Sequence, residues 1–294
     1  MNSVKYFLQA TRPKTLAACI VPVIIASSLA HSYSKFNFSI ALIILVCALL
    51  IQIITNYINE IYDFKRGVDT EERLGPRRSV ASGLISVRAM RNVSLILILV
   101  TFLIGLILVS YRDLNVLWIG IISLLFAYLY TGGPYPIAYN GFSDIFVFLF
   151  FGIIAVCGSF YIFTGEVNLL CLLASLPPGF LSSNILGVNN YRDIDTDAKA
   201  NKKTLAIRIG KKNSLALYFT LTAFSYASVF LIYLKTDSII ILLPFLTLPY
   251  AFYLCRELGR RKGIELNNIL AGTGKLLFIF GILLSLGFLI YDTI

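Results

Sequence analysis

The 294-residue chain is 58% hydrophobic and 14% charged, with a mean hydropathy of +0.82. So little charge cannot cover a water-soluble domain, which excludes a soluble enzyme and points to an all-α, polytopic membrane protein. The net charge of +10 does not argue for nucleic acid, because the basic residues lie in short loops between apolar runs and report topology; anionic substrates stay open.

Crossing a ~30 Å hydrocarbon core takes about 20 residues. Nine apolar segments meet that need, at roughly 15–33, 39–62, 90–110, 114–131, 144–164, 168–190, 214–234, 238–255 and 270–291, the fourth and eighth being shortest. Lys5, Arg12 and Lys14 lead into the first, with no clear cleavage site after it, so a cleavable leader is not expected. Most Lys and Arg residues fall before the first segment, between Lys65 and Arg91, between Arg192 and Lys212, or between Arg256 and Lys262. The other side holds Lys35, Arg112 and Lys235. This asymmetry predicts a cytoplasmic N-terminus and an outer C-terminus. It also puts every long loop, and any aqueous chemistry, on the cytoplasmic face.

The second segment ends in a polar stripe. Gln52, Asn56, Asn59 and Asp63 fall at i, i+4, i+7 and i+11, on one helical face. A charged loop follows, carrying Lys65, Arg66, Asp69, Arg73, Arg77 and Arg78. Between the fourth and fifth segments, Thr131-Gly-Gly-Pro-Tyr-Pro136 ends a helix and re-aims the chain. Tyr128, Tyr130, Tyr135 and Tyr139 cluster around it, which suits either a tight surface turn or a wall beside a ligand pocket.

The sixth segment repeats the design of the second. Asn189, Asp193 and Asp197 stack at i, i+4 and i+8, followed by Lys202, Lys203 and Arg208. Aligning Asp63 with Asp193 sets Asn59 opposite Asn189 and Arg73 opposite Lys203, while Gly67 stands opposite Asp197 with Asp69 two residues beyond. The correspondence predicts two four-helix pseudo-repeats plus a ninth span, folded as one domain over 1–294 with the site between the halves. Gly272 and Gly274, opening the ninth span, suit close helix packing.

Ionisable groups this near hydrocarbon are costly and mark functional sites. Spaced carboxylates and amides suit a hard cation such as Mg²⁺, which keeps waters and takes phosphate oxygens to fill its shell. The five cysteines show no CxxC spacing and read as small buried hydrophobes, and lone His31 reads as a loop residue, so zinc and copper are disfavoured. The neighbouring cations, with Lys14, suit a polyanion carried on a lipid, the basic candidates being Lys14, Lys65, Arg66, Arg73, Arg78, Lys202, Lys203 and Arg208. Asn56, Tyr130, Tyr135, Tyr139 and Asn189 are candidates for lining a ligand pocket.

In this order the motifs resemble the UbiA-type intramembrane prenyltransferases. They are Asn59-Glu-Ile-Tyr-Asp63 and Asp193-Ile-Asp-Thr-Asp197, with Glu60 where the family often has Asp. The 1,4-dihydroxy-2-naphthoate polyprenyltransferases are a narrower likeness. It rests on Arg12-Pro-Lys-Thr-Leu16, the stretch Gly67–Pro76, Ala81-Ser-Gly-Leu-Ile85, Thr131–Pro136 and Lys203–Gly210. The resemblance implies Mg²⁺ held by Asn59, Asp63, Asp193 and Asp197, with Asp69 a further ligand candidate. It implies transfer of a polyprenyl group from its diphosphate to the naphthoate with loss of CO₂, giving demethylmenaquinone, in the cell (inner) membrane. Another acceptor such as 4-hydroxybenzoate stays open. An ion-coupled transporter fits less well, because the polar groups lie at the ends of the segments rather than at mid-bilayer.

Overall fold

The computed structural model describes residues 2–69 and 73–291, and the described residues are helical with no strand. The helices are α1 (Asn2–Ala10), α2 (Ala17–Ser32), α3 (Phe38–Lys65), α4 (Val87–Tyr111), α5 (Leu114–Leu129), α6 (Ser143–Phe148) and α7 (Ala155–Thr164). They continue as α8 (Leu169–Arg192), α9 (Ile194–Lys199), α10 (Leu205–Thr236), α11 (Leu248–Leu258) and α12 (Leu266–Ile290).

Seven helical stretches among the described residues are long and apolar enough to cross a membrane. α2 and α5 are apolar but shorter, at 16 residues each. The expected segments are therefore all helical, but the short ones are the first and fourth, not the fourth and eighth. Three segments are also less regular than their hydropathy suggests. A π-helical turn, Leu149–Ile154, joins α6 to α7. A 3₁₀ run, Ile239–Thr247, leads into α11 and contains Pro244, which has no N–H to give a helix ladder. α10 bends at Gly210, whose φ of 75° and ψ of 170° lie outside the helical region and suit only glycine.

α2, α8, α10 and α12 pack around the main core, where Ile25, Leu29, Leu181, Phe280, Leu284 and Phe288 are fully buried. Close approach here depends on missing side chains: a Cβ on Gly281 would lie 2.3 Å from Val21 Cγ1. α3 and α4 pack together, and α4 turns Leu95, Ile96, Leu99 and Leu103 outward. An apolar outer surface of this kind is what lipid requires.

α1 is tied back onto the bundle. Tyr57 donates its hydroxyl hydrogen to Phe7 O (3.0 Å), and Ser79 does the same to Tyr6 O (3.0 Å). The chain therefore enters α2 beside the ends of α3 and the following loop, where the site forms.

Candidate active site

A large cavity opens between the C-terminal ends of α3 and α8 and runs down among α2, α4, α5 and α7. Its mouth is polar, lined by Asn56, Asn59, Asp63, Arg73, Arg78, Asn189, Asp193, Asp197 and Lys202. Its depth is apolar, walled by residues such as Ile44, Leu106, Leu117, Phe150 and Ile154. The two acidic stripes, 130 positions apart in the chain, face one space.

Each acid at this mouth is held by a cation. Asp63 accepts from Arg78 Nη2 (3.3 Å) and from the Tyr139 hydroxyl (2.5 Å). With its amide turned so that the nitrogen faces the acid, Asn59 donates to Asp63 Oδ2 at 2.5 Å. Asp193 takes a two-pronged contact from Arg192, at 2.8 and 2.6 Å, and Arg192 also donates to Asn189 Oδ1 (2.9 Å). Asp197 meets Lys202 Nζ at 3.4 Å. Asp69 lies behind the cavity wall, paired with Arg73 at 2.5 Å and Arg78 Nε at 3.5 Å.

The electrostatics are tense. Burial raises the Asp69 carboxyl to about 6, despite the neighbouring Arg73. Burial also raises Asp197, with Lys202 opposing. Arg12 is pressed the other way, below the ordinary guanidinium range, by burial and then Arg73, while Asp63, Glu60 and Asp69 oppose that shift. Tyr139 is pushed up by burial and by Asp63, so it stays a hydroxyl donor.

Among the described residues, no group of three His, Cys, Asp or Glu side chains stands ready as a metal cluster. The donor set nevertheless fits a hard divalent cation. Asp197 Oδ2 is buried at the cavity without a hydrogen-bond partner, and a bare carboxylate oxygen in such a place calls for a cation. Asp69, behind the wall and paired with Arg73 and Arg78, stands apart from the cavity. Asn59 and Asp63 on one side and Asp193 and Asp197 on the other supply oxygen donors only.

Several other candidates serve the frame instead. Arg66 donates to Thr131 O (2.5 Å) and Gly133 O (3.1 Å) and lies 4.6 Å over the Tyr139 ring, clamping the Gly-Gly-Pro turn. Lys65 lies over Tyr62, Arg77 donates to Ser82 Oγ, and Arg208 caps Asn140 O; none of the three reaches the cavity. Lys203 is exposed, with its backbone N–H on Tyr139 O. Tyr135 is 74% exposed, while Tyr130 lines the cavity and Tyr139 touches Asp63. Asn56 lines the cavity and donates to Thr11 O at 2.9 Å. The Lys14 side chain lies outside the described residues.

Spacing alone misses three participants. Arg192, read only as a topological charge, holds Asp193. Asn267 accepts from Arg192 Nη1 (2.5 Å) and donates to Leu74 O (3.0 Å), joining α12 to the loop after α3. Glu60 is turned from the cavity and accepts from Val80 N at 3.1 Å, fastening the same loop.

The family model for the UbiA prenyltransferases matches residues 19–268. The chain belongs to the UbiA prenyltransferase family. Among its relatives is a Haemophilus influenzae protein named 1,4-dihydroxy-2-naphthoate octaprenyltransferase, 32% identical over 98% of this chain and 97% of the relative. A Bacillus subtilis protein of the same name is 35% identical over 96% of this chain and 91% of the relative. The fold is shared with a UbiA homolog from Archaeoglobus fulgidus solved with DMAPP and Mg²⁺, with a TM-score of 0.70 and 18% identity over 97% of this chain and 99% of that one. Membership of this family makes the protein a multi-pass membrane enzyme that transfers prenyl groups.

Proposed function

We propose that this UbiA-family enzyme joins the prenyl group of a polyprenyl diphosphate to 1,4-dihydroxy-2-naphthoate, with loss of diphosphate and CO₂, in menaquinone biosynthesis. The observation that carries this reading is near-full-length similarity to relatives named for that reaction. A cavity with an acid-and-cation mouth and an apolar depth supports it.

Asn59, Asp63, Asp193 and Asp197 would hold Mg²⁺, which supplies charge neutralisation for the departing diphosphate. Arg73, Arg78 and Lys202 line the same mouth and would meet phosphate oxygens with charge-assisted hydrogen bonds. The apolar depth takes the prenyl chain and excludes water that would quench the allylic cation. The allylic C–O bond breaks with its electron pair going to diphosphate. A ring π pair then forms the new C–C bond, and the carboxylate leaves as CO₂ with its bonding pair returning to the ring.

The loop charges support nine spans, arranged as two four-helix repeats plus one within a single domain over 1–294. The N-terminus and the site would face the cytoplasm across the cell (inner) membrane. The test is prenyl transfer by purified enzyme in nanodiscs. Chelation should stop it and Mg²⁺ restore it, and Asp63→Ala and Asp193→Ala should stay in the membrane without activity. Near-wild-type transfer by both variants would refute the assignment.

A further inference from the structure

We propose that Arg12 binds the carboxylate of the aromatic acceptor and so sets the preference for a carboxylated ring; this deepens the naphthoate reading above and rests on it. Arg12 lines the cavity, yet its Nε and Nη2 atoms are buried without a hydrogen-bond partner. The other basic residues lining the mouth are engaged: Arg73 with Asp69, Arg78 with Asp63 and Asp69, and Lys202 with Asp197. Among the described residues, Arg12 is the cavity-lining cation with no ion pair. Leaving buried donors unmet is costly unless a ligand meets them.

The backbone is committed to this placement. Arg12 has φ 52° and ψ 66°, left-handed values that a non-glycine residue adopts only when its surroundings enforce them. The enforcement is visible. Thr15 N and Oγ1 donate to Arg12 O at 2.9 and 3.0 Å, and Asn56 Nδ2 anchors the preceding Thr11 O at 2.9 Å. Asn56 is thus a positioning residue for Arg12. Small side chains on the next turns of the chain, Ala18 and Cys19, also line the cavity.

The reaction brings two anions into one cavity. The diphosphate has the acid-bound cation and the mouth residues to meet its charge; the acceptor carboxylate needs a counter-ion of its own. A guanidinium fork matches a carboxylate with two parallel hydrogen bonds. Once CO₂ departs neutral, Arg12 loses its counter-charge, and the product offers it no anion to be retained by.

The experiment uses purified full-length enzyme and two fluorescent probes, 1-hydroxy-2-naphthoate and its carboxyl-free analogue 1-naphthol, with kinetics run in parallel. In Arg12→Gln, affinity for the naphthoate should fall at least ~10-fold, as expected for loss of a charge-assisted pair. Naphthol binding and the KM for prenyl diphosphate should stay within about twofold, and Arg12→Lys should recover part of the loss. Retained naphthol binding also shows that the variant is folded. Unchanged naphthoate binding, equal weakening of both probes, or a KM increase confined to prenyl diphosphate would overturn the assignment, the last by placing Arg12 on the diphosphate. Failure of wild-type enzyme to prenylate the naphthoate would refute the functional reading instead, while the probe comparison still decides what Arg12 recognises.

Discussion

The Tyr139 hydroxyl donates a 2.5 Å hydrogen bond to Asp63 Oδ1, joining the turn after α5 to the end of α3. The bond fixes the direction of the carboxylate from a third element, while Arg66 stacks on the Tyr139 ring and holds the turn from beneath. Two motifs that look separate in sequence thus form one wall of the site.

Tyr139→Phe removes that bond and leaves the ring stack in place. Transfer should fall ~10–100-fold, in keeping with ~1.5–3 kcal/mol for a hydrogen bond to a charged group. Steady-state kinetics with titrated Mg²⁺ should show a raised metal requirement, since Asp63 is no longer aimed. An unchanged Mg²⁺ dependence would detach Tyr139 from the site.

Asn267 bridges Arg192 to Leu74 O, so Asn267→Ala should loosen the loop after α3 as well as Asp193. Limited trypsin digestion should cleave faster at Arg73 or Arg77, and the KM for prenyl diphosphate should rise. Equal cleavage rates in variant and wild type would show that the bridge does not secure the loop.

The apolar depth of the cavity should sort prenyl chains by length. A Cβ on Gly105 or Gly120 meets nothing within 4 Å, and both residues line the cavity. Gly120→Phe should block long polyprenyl diphosphates and spare geranyl diphosphate, read as a fall in the long-to-short activity ratio. A proportional loss with both lengths would place the chain elsewhere.

Gly152, in the π-helical turn, packs against α8 with no room to spare. A Cβ there would lie 2.7 Å from Ser175 O and 2.8 Å from Gly179 Cα. Gly152→Ala should destabilise the protein by ~1–3 kcal/mol, the usual range for overpacking, seen as earlier thermal unfolding in detergent.

The helices are legible in the sequence because lipid imposes a length and a composition on each. The acids are legible because i, i+4 spacing stacks them on one face. What spacing does not carry is the partner of each charge. Lys202, Lys203 and Arg208 look equivalent in sequence, yet Lys202 reaches Asp197 while Lys203 is exposed and Arg208 caps Asn140 O. Arg66 likewise clamps a turn about 65 residues away. Such pairings arise only when distant elements meet, and so does the isolation of Arg12, which reads in sequence as one more topological charge.

The most direct measurement offers purified enzyme a polyprenyl diphosphate and Mg²⁺ with either 1,4-dihydroxy-2-naphthoate or 4-hydroxybenzoate, and quantifies prenylated product and CO₂ by mass spectrometry. The expected result is a prenylated naphthalene lacking the carboxylate, with one CO₂ released per prenyl group transferred, and no prenylated benzoate. Prenylation of 4-hydroxybenzoate with the naphthoate left untouched would contradict it.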